Sequence, residues 1–191
     1  MVQVKKKEIR QAILDSAYDL FSERGYHSTT LQEIADLTGI GVSSVYSYFP
    51  SKIDLLYAVL VPWYKEAFER LEKRVNKQKD NREKLRTIML GVWRDMPEEN
   101  VGLVNSLMEA LASADPKKPK PAPLLKWTED RLMDMLKGVL PDNGFDYEVL
   151  PNLFMMANDG FVINRRLNDL RDIERLCNAM CDIILGPAAK G

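Results

Sequence analysis

The stretch TTLQEIADLTGIGVSSVYSYFPSK, residues 29–52, contains two short helical patterns separated by a glycine-bearing turn. The first pattern, Leu31–Thr38, follows Thr30, and Glu33 stands three residues after that threonine. A threonine and a glutamate at this spacing form a capping box, in which each side chain bonds the other residue's backbone N–H. Gly39 suits the left-handed residue that ends a helix. The sequence therefore predicts a short helix with defined ends.

The second pattern covers residues 42–49 and ends before Pro50, because a proline forces the preceding residue out of the helical region. Two short helices joined by a tight turn form a helix-turn-helix, whose second helix enters the major groove of DNA. Residues 37–53 contain no acidic side chain, and their one charge is Lys52. A helix that approaches phosphates is expected to lack carboxylates, so the charge pattern agrees with DNA binding.

Residues 8–24 complete a predicted three-helix head. Their apolar residues recur at helical spacing and form one stripe: Ile9, Ile13, Ala17, Leu20 and Phe21. We expect this stripe to pack around Ile34, Leu37 and Val45. Residues 1–7 are predicted to be a frayed arm. Its basic cluster has two open interpretations, a phosphate contact beside the second helix or a solvated tail; the cluster is Lys5, Lys6, Lys7 and Arg10.

Several segments of residues 7–60 together resemble the tetracycline-repressor (TetR) family of bacterial regulators. The segments are Gly25-Tyr26-His27-Ser28-Thr29-Thr30, Ile34-Ala35, Gly39-Ile40, Val45-Tyr46-Ser47-Tyr48-Phe49 and Lys52-Ile53-Asp54-Leu55-Leu56. The chain departs from the family pattern at two positions, with Gly41 where serine is usual and Ser43 where glycine is usual. Both positions lie at the start of the second helix. The resemblance implies a regulator whose C-terminal region couples an effector pocket to DNA release.

The predicted DNA-binding residues are Thr30, Gly41, Val42, Ser43, Ser44, Tyr46, Ser47, Tyr48 and Lys52. We expect four of them to hold phosphates, which fixes register: Thr30, Tyr46, Tyr48 and Lys52. We expect the three serines of the second helix to reach base edges. For Lys52 a second interpretation stays open, a solvated lysine on a surface turn.

Composition limits the classes of function. The chain has 191 residues, 46% of them hydrophobic, and a net charge of −1, so it is not a generally basic nucleic-acid binder. No apolar run approaches the ~18 residues of a membrane span, and no signal peptide is evident. We therefore expect a cytoplasmic protein with reduced cysteines, Cys177 and Cys181. The single histidine, His27, and the lack of metal-ligand spacing argue against an enzyme, a metal site or a cofactor.

The rest of the chain is predicted to be helical, which makes the protein all-α. The predicted helices are 51–76, 80–95, 98–112, 124–140, 147–166 and 169–185, with a proline-rich linker at 113–123 and a turn at 141–144. Pro62 is expected to kink the first of these helices. We predict a DNA-binding domain at residues 1–52 and a helical effector-binding and dimerisation domain at residues 53–191.

Aromatic and methionine residues are frequent after residue 60, which predicts an apolar effector pocket, although an ordinary core is the alternative for each residue. The predicted pocket residues are Trp63, Trp93, Met96, Met108, Trp127, Met155, Asn158 and Phe161. Since no charged cluster falls on these faces, a neutral or weakly charged hydrophobic or aromatic effector is expected. Broad apolar stripes on the last two helices predict a homodimer through Leu153, Met156, Gly160, Asn164, Ile173, Leu176, Met180 and Ile184.

The combined prediction is a ligand-responsive transcriptional repressor that binds a palindromic, double-stranded operator as a homodimer. The alternative is a small-molecule binding protein of the same fold that no longer binds DNA. The two departures at Gly41 and Ser43 motivate that alternative.

Overall fold

The computed structural model describes residues 2–115, 122–141, 146–169 and 172–187. These residues form ten α-helices and one π-helical segment, and within them there is no strand. The all-α prediction is therefore confirmed. Most of the predicted linker at 113–123 and of the predicted turn at 141–144 lies outside the described residues.

The helices are α1 (Val2–Ser28), α2 (Leu31–Thr38), α3 (Val42–Tyr48), α4 (Lys52–Asn76), α5 (Asn81–Leu90), α6 (Met96–Glu99), α7 (Val101–Ala112), α8 (Ala122–Lys137), α9 (Leu150–Arg166) and α10 (Ile173–Leu185), with the π-helical segment at Gly91–Asp95. The predicted helix at 80–95 thus changes to π geometry in its last five residues. α4 continues through Pro62. Asn100 caps α7 by accepting from the N–H of Leu103 at 2.9 Å, which separates α7 from α6.

The chain divides into two compact units. The first comprises Met1–Tyr64 and Asn100–Pro121, and the second comprises Lys65–Glu99 and Ala122–Gly191. The division falls inside α4 and leaves α7 with the N-terminal helices. The predicted domains, 1–52 and 53–191, describe a division of function and stay a prediction.

Two expectations for the first unit were wrong. Residues 2–7 extend α1 as a helix, rather than forming a frayed arm. Leu37 is 65% exposed, because on the short α2 it lies outside the face formed by Leu31, Ile34 and Ala35. Fully buried side chains from α1 to α4 form the core instead: Ile13, Ala17, Phe21, Ile34, Ala35, Val45, Leu55, Leu56 and Leu60.

α7 packs closely along α1 in the first unit. Gly102 approaches the carbonyl oxygen of Ser22 so closely that an added Cβ would overlap that oxygen. Four residues later, the hydroxyl of Ser106 donates to the carbonyl of Phe21 at 2.8 Å. Asn100 Nδ2 donates to Tyr18 Oη at 3.0 Å and to Ser22 Oγ at 2.9 Å. These contacts fix α7 on the helix that supports the head.

In the second unit α10 packs on α5, and α9 packs on α8 and the π-helical segment. The inner face of α10 carries Cys177 and Cys181, which are buried and unlinked. Burial raises the pKa of the Cys177 thiol to about 12, so it stays protonated at neutral pH. Arginines of α5 bind the same helix from its side: Arg86 contacts Glu174 at 3.1 Å, and Arg82 pairs with Asp182.

Candidate functional site

The predicted capping box at the start of α2 is present. Thr30 Oγ1 accepts from the N–H of Glu33 at 3.2 Å, and Glu33 Oε2 accepts from the N–H of Thr30 at 2.9 Å. The Thr30 hydroxyl also donates to the same carboxylate at 2.8 Å. At the other end, Gly39 has φ 68° and ψ 26°, the left-handed conformation that the sequence indicates. Both ends of α2 are therefore fixed by local chemistry.

α3 presents polar side chains to solvent from a buried anchor. Val45 is fully buried, whereas four predicted DNA-binding residues are exposed: Ser43, Ser44, Tyr46 and Ser47. Val42 and Tyr48 are half-buried, and Gly41 provides the N-cap without a side-chain bond. The Ser47 hydroxyl donates to the carbonyl of Ser44 at 2.6 Å. Ser43 and Ser44 are thus better placed than Ser47 to donate to a base.

Lys52 lies at the start of α4 and is bound within the protein. Its Nζ donates to the backbone carbonyls of Tyr26 at 2.7 Å and Thr29 at 2.9 Å, and lies 4.3 Å from the Tyr26 ring centroid. Burial lowers the pKa of Lys52, while the carboxylates of Glu109 and Glu33 oppose that shift. This geometry differs from a solvated surface lysine. An ammonium has three N–H donors, so one remains for a phosphate.

The basic residues before the head are exposed along the first turns of α1. Arg10 reaches back to the end of α3, where its guanidinium lies 5.2 Å from the Phe49 ring centroid. Lys5, Lys6 and Lys7 extend from the same helix. The basic cluster thus starts α1 as an exposed helical segment, of which Arg10 contacts the residue that ends α3.

The second unit contains a cavity of about 230 Å³. Trp93 and Phe161 line it, and their ring centroids lie 5.4 Å apart. The Trp93 indole N–H donates to the carbonyl of Phe154 at 2.9 Å, which fixes the ring. Charged side chains also line the cavity: Arg94, Glu98, Arg165, Asp169, Asp172 and Glu174. Charged side chains thus adjoin Trp93 and Phe161 in this cavity, whereas the sequence suggested no charged cluster beside the pocket aromatics.

The other predicted pocket residues do not line it. Trp127 packs edge-on against Phe68, with ring centroids 5.6 Å apart. Met96 and Asn158 are buried and Met155 is half-buried in the second unit, whereas Trp63 and Met108 belong to the first unit. Sequence reasoning missed the charged lining because Arg94 and Arg165 pair with acids distant in sequence, Glu174 at 2.8 Å and Glu98 at 3.0 Å.

α9 and α10 each expose apolar side chains, here together called the apolar seam. It consists of Val149, Leu153, Met156, Ile163 and Leu167 on or beside α9, and of Leu176 and Ile183 on α10. Met156 is 71% exposed and Ile183 is 76% exposed. Of the other predicted dimer residues, Gly160, Asn164, Ile173, Met180 and Ile184 are half-buried. Ile163 and Leu167 follow Gly160 at intervals of three and four residues on the same helical face, so periodicity could have identified them.

Two kinds of feature are absent from the part of the chain that is described. None of its helices is long and apolar enough to cross a membrane. Its histidine, cysteine, aspartate and glutamate side chains form no group of three or more that suits a metal ion.

Comparison with known proteins gives a family match at the N-terminus. Residues 13–59 match the family model described as bacterial regulatory proteins, tetR family. The HTH-type transcriptional regulator RutR of Escherichia coli (strain K12) is 48% identical over 59 residues, which are 31% of this chain and 26% of RutR. The chain thus spans about a quarter of the length of the first curated relatives that it matches, 22% and 26%.

Solved structures match over nearly the whole chain. The TetR family transcriptional regulator PfmR from Thermus thermophilus has a TM-score of 0.58 and 26% identity, covering 94% of this chain and 96% of PfmR. The transcriptional regulator FadR from Bacillus subtilis, in complex with stearoyl-CoA, has a TM-score of 0.61 and 17% identity, covering 93% of this chain and 99% of FadR.

The family match falls on the capped α2, on α3 with its exposed serines and on the start of α4, and the structural matches extend the same fold through α10. Residues 13–59 therefore carry the N-terminal domain of the tetR family of bacterial regulatory proteins, and nearly the whole chain shares the fold of the TetR family regulator PfmR.

Proposed function

We propose that this protein is a DNA-binding transcriptional repressor that acts as a homodimer and releases its operator when an effector binds the C-terminal region. The observation that carries the proposal is α3, where buried Val45 anchors a helix whose serines face outward. Neither α3 nor its flanking residues carry an acidic side chain that would repel phosphates. Ser43 and Ser44 read base edges, while Tyr46, Tyr48 and Lys52 bind phosphates. Thr30 is removed from the expected phosphate contacts, because its hydroxyl and its N–H both donate to Glu33.

The apolar seam supports the homodimer. Burying one leucine, isoleucine or methionine side chain stabilises an assembly by about 1.5–3 kcal/mol, and the seam leaves several of them in water. At Gly160 an added Cβ would meet nothing within 4 Å, so the protomer itself does not require a glycine there. A two-fold axis that pairs α9 and α10 with their copies forms a four-helix bundle, and Gly160 then permits close approach.

Dimerisation is tested by placing a charge in the seam. Met156→Glu should give a monomer in sedimentation velocity at micromolar concentration, because a carboxylate cannot be buried unpaired. Val101→Glu is the matched control, since Val101 is also an exposed apolar residue but lies on α7. A monomeric wild type, or a Met156→Glu dimer as tight as the wild type, contradicts the proposed interface.

DNA binding is tested with DNA from upstream of the chain's own gene, by fluorescence anisotropy over a series of salt concentrations. Ser44→Ala should change the preference among related sites, because it removes a base-edge contact. Lys52→Ala should weaken binding to all sequences and lower the slope of log K against log salt by about one unit, because it removes one phosphate contact. If Lys52→Ala only destabilises the head, the active fraction falls but the slope stays unchanged. The slope therefore separates a phosphate contact of Lys52 from its structural bonds to the carbonyls of Tyr26 and Thr29.

The cavity supports effector binding. Its aromatic wall suits an apolar or aromatic group, and its charged lining suits a polar end, so we revise the expected effector from a neutral molecule to an amphipathic one. FadR, which shares the fold, was solved with stearoyl-CoA, a molecule that combines an apolar chain with a charged end. Trp93 fluorescence should respond to a bound effector and Trp127 should not. Responses that persist in Trp93→Phe but disappear in Trp127→Phe would place the effector elsewhere.

The alternative, a ligand-binding protein that has lost DNA binding, predicts no salt-dependent binding to any DNA. Failure of the wild type with both upstream DNA and a randomised DNA pool would favour it.

A further inference from the structure

The backbone bends at Gly25, within the last residues of α1, and residues 25–30, here called the turn, lead from this bend to α2. Gly25 has φ 84° and ψ 171°, which interrupts the helical geometry of α1. The N–H groups that follow such a break lose their helical acceptors and need others. Glu109, on α7, supplies them, since its Oε2 accepts from the N–H of Tyr26 at 3.0 Å and of His27 at 3.2 Å. One carboxylate of α7 thus supplies the acceptor for two N–H groups that follow the bend at Gly25.

Lys52, at the start of α4, also binds the backbone of this turn. Its Nζ donates to the carbonyls of Tyr26 and Thr29, so the backbone of Tyr26 is held at its N–H by α7 and at its carbonyl by α4. We call Glu109 and Lys52, with the Tyr26 backbone between them, the turn clamp. The two side chains bond two different groups of one residue, which restrains the Tyr26 backbone more than either contact alone.

The clamped turn leads directly into the DNA-binding surface. The buried hydroxyl of Thr29 donates to the carbonyl of Gly25 at 2.8 Å, which makes the turn a compact unit. The next residue, Thr30, is the N-cap of α2, and α2 packs on α3. A displacement of Tyr26 therefore moves the start of the helix-turn-helix rather than being absorbed by a flexible loop.

Removal of Glu109 should leave the packing of α7 on α1 intact. That packing depends on Gly102 at the Ser22 carbonyl and on Ser106 at the Phe21 carbonyl, one or two helical turns before Glu109. Glu109 lies further along α7 than these two contacts and bonds the N–H groups that follow Gly25. A substitution there frees the turn without undoing the helix pair.

We propose that Glu109 is a positioning residue for DNA recognition: through the turn clamp, α7 sets where α2 and α3 stand when the protein reads its operator. This inference rests on the proposed DNA-binding function.

Electrostatics and positioning predict opposite results for Glu109→Gln. A carboxylate repels DNA phosphates, so its removal alone should tighten binding to every sequence. Loss of positioning should instead weaken operator binding while non-specific binding stays the same or tightens. The sign of the change in the ratio of specific to non-specific affinity separates the two effects.

The experiment compares wild type, Glu109→Gln, Glu109→Ala and Glu23→Gln in the full chain. Glu23 is an exposed acid of α1 and is the matched control for lost charge. We expect the specificity ratio to fall about tenfold in Glu109→Ala, which loses both hydrogen bonds. The ratio should fall less in Glu109→Gln, whose amide oxygen can still accept both N–H groups but without the negative charge. Glu23→Gln should keep the ratio within about twofold, since it changes charge alone.

A second readout needs no DNA. Amide hydrogen exchange at Tyr26 and His27, followed by NMR, should be about tenfold faster in Glu109→Ala and unchanged in Glu23→Gln, because only the first loses the acceptor. The inference would be overturned if the wild type binds its operator and Glu109→Ala has the same ratio of specific to non-specific affinity. A wild type that binds no DNA would overturn the proposed function, and unchanged exchange at both amides would then overturn the clamp itself.

Discussion

In the first compact unit, α7 and α1 approach until a glycine touches a backbone carbonyl, and polar groups of both helices bond each other. In the second unit, α9 and α10 leave leucine, methionine and isoleucine side chains in solvent. The α1–α7 contact of the first unit is thus closed by backbone and polar groups, whereas the exposed side chains of α9 and α10 form the surface that the proposed homodimer would bury. This difference separates a contact made within the protomer from one that the proposal assigns to assembly.

The largest loss of stability is expected at Gly102, where the backbone of α7 contacts the backbone of α1. Gly102→Ala should destabilise the first unit by about 3–4 kcal/mol, because the new methyl overlaps the Ser22 carbonyl and neither backbone can move alone. Chemical denaturation measures the change. Gly138→Ala is the control, since an added Cβ there would meet only ordinary contacts of 3.5 Å and 3.7 Å. If Gly102→Ala and the wild type unfold at the same denaturant concentration, α7 and α1 are not as closely packed at Gly102 as we describe.

A smaller effect is expected at the corresponding glycine of the second unit. An added Cβ at Gly91 would overlap the end of the Leu71 side chain, which can rotate away. Gly91→Ala should therefore cost about 1–2 kcal/mol, after the better helix propensity of alanine offsets part of the overpacking. If Gly91→Ala proves as damaging as Gly102→Ala in the same denaturation experiment, the second unit is as tightly constrained as the first.

The first unit also contains a polar group whose removal should stabilise it. Among the described residues, the buried Tyr57 hydroxyl has no hydrogen-bond partner, and burial raises the pKa of Tyr57 to about 12. Tyr57→Phe should raise stability by about 1 kcal/mol, because it removes an unsatisfied buried donor. Thermal unfolding measures the gain. A destabilised Tyr57→Phe would mean that the hydroxyl has a partner, such as a bound water.

The smallest expected effect is the pH dependence of the α2 capping box. Hydrogen bonds from the Thr30 backbone lower the pKa of the exposed Glu33 carboxyl below 4.5. A lowered carboxyl pKa adds stability above the unfolded-state value, and that stability is lost as the pH falls through the folded-state pKa. Glu33→Gln should therefore unfold at a lower temperature than the wild type at pH 7, and the difference should shrink at pH 3. Equal differences at both pH values would argue against the carboxylate as the source.

The sequence predicted some features well because their causes are local. The capping box needs only Thr30 and Glu33, three residues apart, and Gly39 ends α2 through its own conformational freedom. The same holds for the exposed serines of α3, since helical periodicity around Val45 places them. Leu37 was misassigned because α2 is only eight residues long, so three apolar positions already cover its buried face.

The sequence by itself determined an all-α chain with a capped helix-turn-helix and two C-terminal helices with broad apolar stripes. Helix ends and amphipathic faces depend on residues within one or two helical turns, so they can be predicted from the sequence. Only the tertiary structure decided the partners of Lys52, which lie 23 and 26 residues away, and the role of Glu109, which binds N–H groups 82 and 83 residues away. It also decided that arginines and acids, not only aromatic rings, line the cavity of the second unit. A single charged residue gives no periodic signal, so its partner is known only once packing has brought the two helices together.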